Sequence, residues 1–231
     1  MNKKLCTLIV LSAILTIEVS GCASIGNNGA SIEQLLEKAN QGDPVAQFEI
    51  AGIYYRGTGV PKNVVEAANW LRKSAEQGNP EAQNSLGFLL EAGEGVPQNY
   101  TEAVKWYQKA ADQNFSVSVS NLGNMYKSGL GVEKNLKRSF ELYHRAAELG
   151  GTRGMNNLGH AYWKGEGTKM DLVQAYAWFD LARFYTQQSD DMQLKWGIRG
   201  SLDQVKGQMT KDQIGAAHTL TKELEKKLNS K

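Results

Sequence analysis

Residues 82–114 read AQNSLGFLLEAGEGVPQNYTEAVKWYQKAADQN, and residues 118–150 read SVSNLGNMYKSGLGVEKNLKRSFELYHRAAELG. Laid over one another at a spacing of 36 residues, they keep the same residue types in the same places. The Gly-x-Gly pairs Gly93/Gly95 and Gly129/Gly131 recur upstream at Gly57/Gly59 and downstream at Gly165/Gly167. Ile50, Leu86, Leu122 and Leu158 form one column, and Ala51, Gly87, Gly123 and Gly159 the next; Tyr54, Leu90, Tyr126 and Tyr162 form a third. After the glycines come Asn63, Asn99, Asn135 and Asp171, then Ala67, Ala103, Ser139 and Ala175, then Trp70, Trp106, Leu142 and Trp178. Self-similarity at a fixed period in this range marks a stacked-repeat architecture.

The columns have a physical reading. Positions 46, 50, 53/54 and 57 recur at helical spacing and are apolar or small, so the first half of each unit carries one buried stripe. Alanine or glycine at 51 and its equivalents lets a second helix come close. The second half repeats the pattern with Ala67, Trp70, Leu71 and Ser74. Asn63 and its equivalents stand where an N-cap is wanted, and the glycines fall where a left-handed residue ends the first helix without steric cost. Each unit is thus expected to be helix, glycine turn, helix. Neither helix can bury its stripe alone, so the units must stack.

The chain has 231 residues, 41% hydrophobic and 22% charged, an ordinary globular balance. Its 26 Lys+Arg against 24 Asp+Glu give a formal charge of +2, which argues against a nucleic-acid footprint. His144, His160 and His218 lie in different units, with no His-x3-His or His-Glu-x-x-His pair, so no metal site is expected. The Gly-x-Gly pairs lack the Lys-Ser/Thr continuation of a phosphate loop, and no Gly-x-Ser-x-Gly elbow occurs. Carboxylates are scattered singly over helix faces. The expectation is a protein without catalytic residues, metal or cofactor.

The ends differ from the repeats. Lys3 and Lys4 precede an apolar stretch from Leu5 to Ile17, too short for a membrane span and suited to a signal peptide. Val19-Ser20-Gly21-Cys22 then resembles the bacterial lipobox, which implies diacylation at Cys22. Ala23 in place of an inner-membrane retention aspartate points to the outer membrane, facing the periplasm. Cys6 would leave with the leader, so no disulfide is expected. The expected organisation is a leader over 1–21, a tether over 22–30 and a capping helix over 31–42, with Ser31-x-x-Gln34 as a capping box. Repeats follow over 43–78, 79–114, 115–150 and 151–186. Capping helices then occupy 187–231, one near 190–207 and one opened by Thr210-x-x-Gln213.

The consensus Ala-x3-Leu-Gly-x-x-Tyr-x-x-Gly-x-Gly-Val, then Asp/Asn-x3-Ala-x2-Trp-Tyr-x-x-Ala-Ala-x-x-Gly, resembles the Sel-one-like repeat, a branch of the tetratricopeptide-like superfamily. The match runs from about residue 31 to 186, with Ser139 and Leu142 as departures. The resemblance implies an all-α fold, a right-handed α/α superhelical solenoid of helix-turn-helix repeats with a helical C-terminal cap. Cysteine-rich relatives have been discussed as β-lactam-binding hydrolases, but their paired cysteines are missing here.

Residues off the consensus point to function. In tetratricopeptide-like solenoids the first helices line the concave side, so the columns at 48, 52 and 55, away from the buried stripe, should face one groove. They supply Phe48, Tyr55, Asn84, Phe88, Asn124, Lys127, Asn156, His160 and Trp163, bordered by Asn121 and Asn157. Asparagine amides pair with main-chain groups, and aromatics act as anchors. The expected function is therefore a non-enzymatic scaffold or adaptor lipoprotein of the bacterial envelope, with a protein or peptide segment as partner and no nucleic acid. The alternatives are a periplasmic immunity or inhibitor protein against a secreted toxin, a cell-wall or β-lactam hydrolase, and a spacer without a groove ligand.

Overall fold

A computed structural model describes residues 31–187 and 191–230, together with the backbone of residues 7–8 and 17–18. The lipobox residues Val19 to Cys22 and the tether lie outside the described residues. Strands β1 (Thr7–Leu8) and β2 (Ile17–Glu18) pair antiparallel, Thr7 opposite Glu18. Every other element among the described residues is a helix, in two compact units that divide at Asn99 and Tyr100, between the two helices of one repeat.

The first unit holds α1 (Ile32–Asn40), α2 (Pro44–Arg56), α3 (Val64–Glu76) and α4 (Pro80–Ala92). Ser31 and Gln34 close the capping box that opens α1. Asp43 and Asn79 cap α2 and α4, each followed by a proline whose fixed φ suits the first helical position. Asn63 caps α3 by accepting from the Glu66 N–H at 3.0 Å. The core is built from Ile50, Leu71, Leu86 and Leu89, all nearly inaccessible. Two buried amides hold the stack in register. Gln47 Nε2 donates to the Ala39 carbonyl at 3.0 Å, and Gln83 Nε2 repeats this on the Ala75 carbonyl at 3.1 Å.

The second unit holds α5 (Tyr100–Asp112), α6 (Ser116–Ser128), α7 (Leu136–Glu148), α8 (Thr152–Lys164), α9 (Leu172–Tyr185), α10 (Met192–Lys206) and α11 (Lys211–Asn229). Here Val119 and Met155 stand where the first unit has its register glutamines. Arg145 partly replaces them, since its Nη2 donates to the Ala111 carbonyl at 2.7 Å and to Asn114 Oδ1 at 2.9 Å. Asn114 itself sits at φ 62, in the column otherwise filled by Gly42, Gly78 and Gly150. Asparagine is among the few side chains that tolerate that region.

The glycine pairs have two roles rather than one. The first glycine ends its helix in the left-handed region, at φ 73, 73, 73 and 68 for Gly57, Gly93, Gly129 and Gly165. The second presses on the preceding repeat. A Cβ at Gly95 would sit 2.5 Å from the Val64 carbonyl oxygen, and one at Gly131 or Gly167 would strike the backbone of Tyr100 or Leu136. The small-residue column acts as expected: a Cβ at Gly123 or Gly159 would meet the ring of Tyr143 or Phe179 at 2.6 or 2.8 Å.

Helix α9 packs against α8, α10 and α11, and Ala175, Tyr176, Ala177, Trp178 and Phe179 are buried in succession, while Phe184 near its end is 49% exposed. Helix α11 opens on the Thr210/Gln213 capping box and contributes Leu224 and Leu228 to this core.

Candidate partner-binding face

In the first unit, α2 carries Phe48 and Tyr55, and α4 carries Asn84 and Phe88. Phe88 is 48% exposed, while Phe48 and Asn84 are half-buried. The Tyr55 hydroxyl donates to Glu94 Oε2 at 3.1 Å, and Lys62 Nζ lies 5.3 Å from the Tyr55 ring centre. At Gly52, Arg56 folds back so that its guanidinium would touch an added Cβ at 3.1 Å.

In the second unit, α6 carries Asn121, Asn124 and Lys127, and α8 carries Asn156, His160 and Trp163. Several of these side chains are already engaged. Asn124 Oδ1 accepts from the Tyr143 hydroxyl at 2.6 Å and from Asn157 Nδ2 at 3.4 Å; Asn157 Nδ2 also donates to Ser120 Oγ at 3.0 Å. Burial pushes the Tyr143 phenol up to about 12, so it stays a donor. Lys127 is paired with Glu166 at 2.6 Å.

Helix α10 changes the character of this face by packing on α8 and α9. Trp163 Nε1 donates to Gln208 Oε1 at 3.4 Å. His160 lies against Trp163 and Phe179, with ring centres 6.0 and 4.8 Å apart, and Ser201 Oγ stands 3.4 Å from its Nε2. Burial lowers the imidazole pKa from 6.5 to about 4, helped by the charges of Lys164 and Lys127 and opposed by Glu166. His160 and Trp163 are therefore packing residues as much as open ones.

Between α6, α8 and α10 the structure leaves a cleft of about 330 Å³. Asn121, Asn124 and Asn156, all singled out from the sequence, line it with Ser120 and Asn157. Lys127, His160 and Trp163 do not. The opposite wall is Asp191, Gln193, Leu194 and Gly197, with Arg153 beside them, none of which the repeat columns point to. Arg153 pairs with Asp191 at 3.2 Å. The Asp191 carboxyl also caps α10 through the Leu194 N–H, and that bond first, then Arg153, holds its pKa below the usual carboxylate value. The cleft thus offers amide donors and acceptors with a charged pair at one end. Among the described residues no group of His, Cys, Asp or Glu is arranged to hold a metal ion, and no helix is long and apolar enough to cross a membrane.

Comparison with known proteins places the chain. The Sel1 repeat pattern matches residues 44–79, 80–115, 116–151 and 152–183. A Sel1 repeat protein of Oxalobacter formigenes is 38% identical at a TM-score of 0.59, over 67% of this chain and 63% of that one. A protective antigen present in uropathogenic Escherichia coli strains, displaying an SLR fold, is 27% identical at a TM-score of 0.54, over 85% of this chain and 48% of that one. The chain therefore spans less than two thirds of either protein. An immunity protein of Pseudomonas aeruginosa is 18% identical at a TM-score of 0.47, a likeness too low to bear on function. No curated protein matches the chain significantly. Sel1 repeat proteins are generally protein-interaction scaffolds, and the fold is typically non-catalytic. With four repeats over more than half of its length, the chain belongs to the Sel1 repeat family.

Proposed function

We propose that the chain is a non-enzymatic binding module that holds an extended segment of a partner protein in the cleft between α6, α8 and α10. The observation that carries this reading is the lining of that cleft by the side chains of Asn121, Asn124, Asn156 and Asn157. Each amide offers both a donor and acceptors, the complement of a peptide main chain. Among the described residues the buried Asn156 Oδ1 has no hydrogen-bond partner, a cost of roughly 1–3 kcal/mol unless the amide turns toward the cleft to meet one. The module is held to the outer membrane, facing the periplasm, by a lipid on Cys22.

The test is a crosslinking pull-down from native envelope with a photoreactive residue at position 193. Asn121→Ala with Asn156→Ala should reduce partner capture while leaving the helical circular dichroism unchanged. Undiminished capture would overturn the cleft as the binding site. The anchor is tested separately: Cys22→Ser should move the protein out of the membrane fraction, and retention there would end the lipobox reading.

A further inference from the structure

A second cleft, of about 590 Å³, opens on the other flank of α10, between α9, α10 and α11. This size lies within the range of ligand-binding pockets. Its walls carry Arg183, Lys195, Arg199 and Lys206 against Asp180 and Asp203. The charges are unequally used. Asp180 is consumed by Arg183, which reaches it through Nε at 3.0 Å and Nη2 at 2.7 Å. Lys195 Nζ donates to the Gln187 carbonyl at 2.9 Å, keeping its charge unneutralised. Arg199 and Lys206 form no ion pair among the described residues. Positions 195, 199 and 206 repeat at helical spacing, so three cations project from one side of α10 over about three turns.

Outside the cleft lining, on the exposed side of the same helix, Trp196 is 65% exposed and Met192, one turn earlier, 56% exposed. Both lie opposite the buried stripe of Ile198, Leu202 and Val205. Gly200 leaves the next turn bare, since a Cβ there would meet nothing within 4 Å. Trp70, Trp106 and Trp178 are 3–7% exposed in the core, so Trp196 is placed unlike the core tryptophans of the repeats. Exposed tryptophan beside arginine is the composition of a binding hot spot.

We propose that this cleft binds an acidic peptide segment of a partner protein: its carboxylates meet Arg199, Lys206 and Lys195, and an apolar side chain rests on Trp196. One feature favours a peptide over an anionic membrane surface. Asp203 stands among the cations, with no ion pair among the described residues, repelling a continuous anionic surface but able to accept main-chain N–H groups. The arrangement requires nothing of the asparagine-lined cleft, so the two sites stand or fall separately.

The test uses the full chain and a fluorescein-labelled peptide, Gly-Glu-Glu-Phe-Glu-Gly-Glu-Glu, followed by anisotropy, with a counterpart carrying Gln for each Glu. Saturable binding of the acidic peptide is expected, weakening with salt as exposed charges are screened. Arg199→Glu with Lys206→Glu should weaken it at least about tenfold, on the order of 1.4 kcal/mol. The milder Arg199→Gln with Lys206→Gln should weaken it by less, with circular dichroism confirming the fold of each. Trp196→Ala should lower affinity while keeping the salt dependence. Lys105→Glu with Lys137→Glu, an equal charge change elsewhere, should leave binding within about twofold, and so should Asn121→Ala with Asn156→Ala. The proposal is overturned if the peptide shows no saturable binding, if its Gln counterpart binds equally, or if the control charge pair weakens binding as much. Capture by phosphatidylglycerol vesicles without peptide binding would assign the cations to a membrane and overturn it as well.

Discussion

His160 is neutral at ordinary pH because its ring is packed against Trp163 and Phe179, with Lys164 and Lys127 nearby. An unfolded chain takes up a proton on this ring below about 6.5, whereas the folded chain resists until about 4. The unfolded state therefore binds more protons within that window, and stability falls as pH drops through it. Between about pH 7 and about pH 5 the wild type should lose more melting temperature than His160→Gln, as read by thermal circular dichroism. Equal losses would place the slope on other groups. A second residue-scale prediction separates two reasons for glycine. Gly131 and Gly150 both have positive φ, 69 and 79, but only Gly131 is pressed against backbone, whereas a Cβ at Gly150 would meet nothing within 4 Å. Gly150→Ala should cost roughly 1–2 kcal/mol for the left-handed conformation alone. Gly131→Ala should cost clearly more in denaturant unfolding, because a backbone collision is added.

Helix α10 is the element on which both proposed clefts depend, and Asp191 is what starts it. Its carboxylate accepts the Leu194 N–H at 2.9 Å and receives Arg153 from α8 at 3.2 Å. Asp191→Ala should remove a cap worth about 1 kcal/mol and untie the first turn of α10 from α8. Faster hydrogen exchange confined to about residues 192–198 is expected, with the repeat helices unchanged; exchange no faster than wild type would mean that the Ile198 and Leu202 packing alone seats the helix. The existence of α10 was legible, because Leu194, Ile198, Leu202 and Val205 recur at helical spacing. Its destination was not. A stripe shows that a helix must be buried but not against what, and the repeat columns say nothing beyond the last repeat. That is why His160 and Trp163 read as groove residues, although α10 comes to rest beside them. The same limit hid Arg153, Asp191 and Gln193 from the site. By contrast, the asparagines at 121, 124 and 156 were visible as departures from the repeat pattern, and the second glycines were visible as a column but not as a contact surface.

At the scale of the molecule, a stacked-repeat protein must close each end, because an unpaired repeat exposes the face its neighbour would have buried. The N-terminal end is closed by α1, nine residues with Leu35 and Ala39 buried. The C-terminal end requires more. In α9 five consecutive residues are buried, and the core around them draws on Ile198, Leu202 and Val205 from α10 and Ala217, Leu224 and Leu228 from α11. At about 25 cal/mol per Å², burying one such aliphatic side chain contributes about 1.5–3 kcal/mol, so several together form a large part of a domain's net stability. Ending the chain after Gln187 should therefore expose an apolar helix face and give a product that self-associates in sedimentation and unfolds without a single cooperative transition. Starting it at Gln41 removes two buried residues among the described ones, Leu35 and Ala39, and should lower the melting temperature while keeping one transition. A monomeric, cooperative product of the first truncation would show that the repeats need no C-terminal cap, and α10 and α11 would then be explained by their two clefts alone.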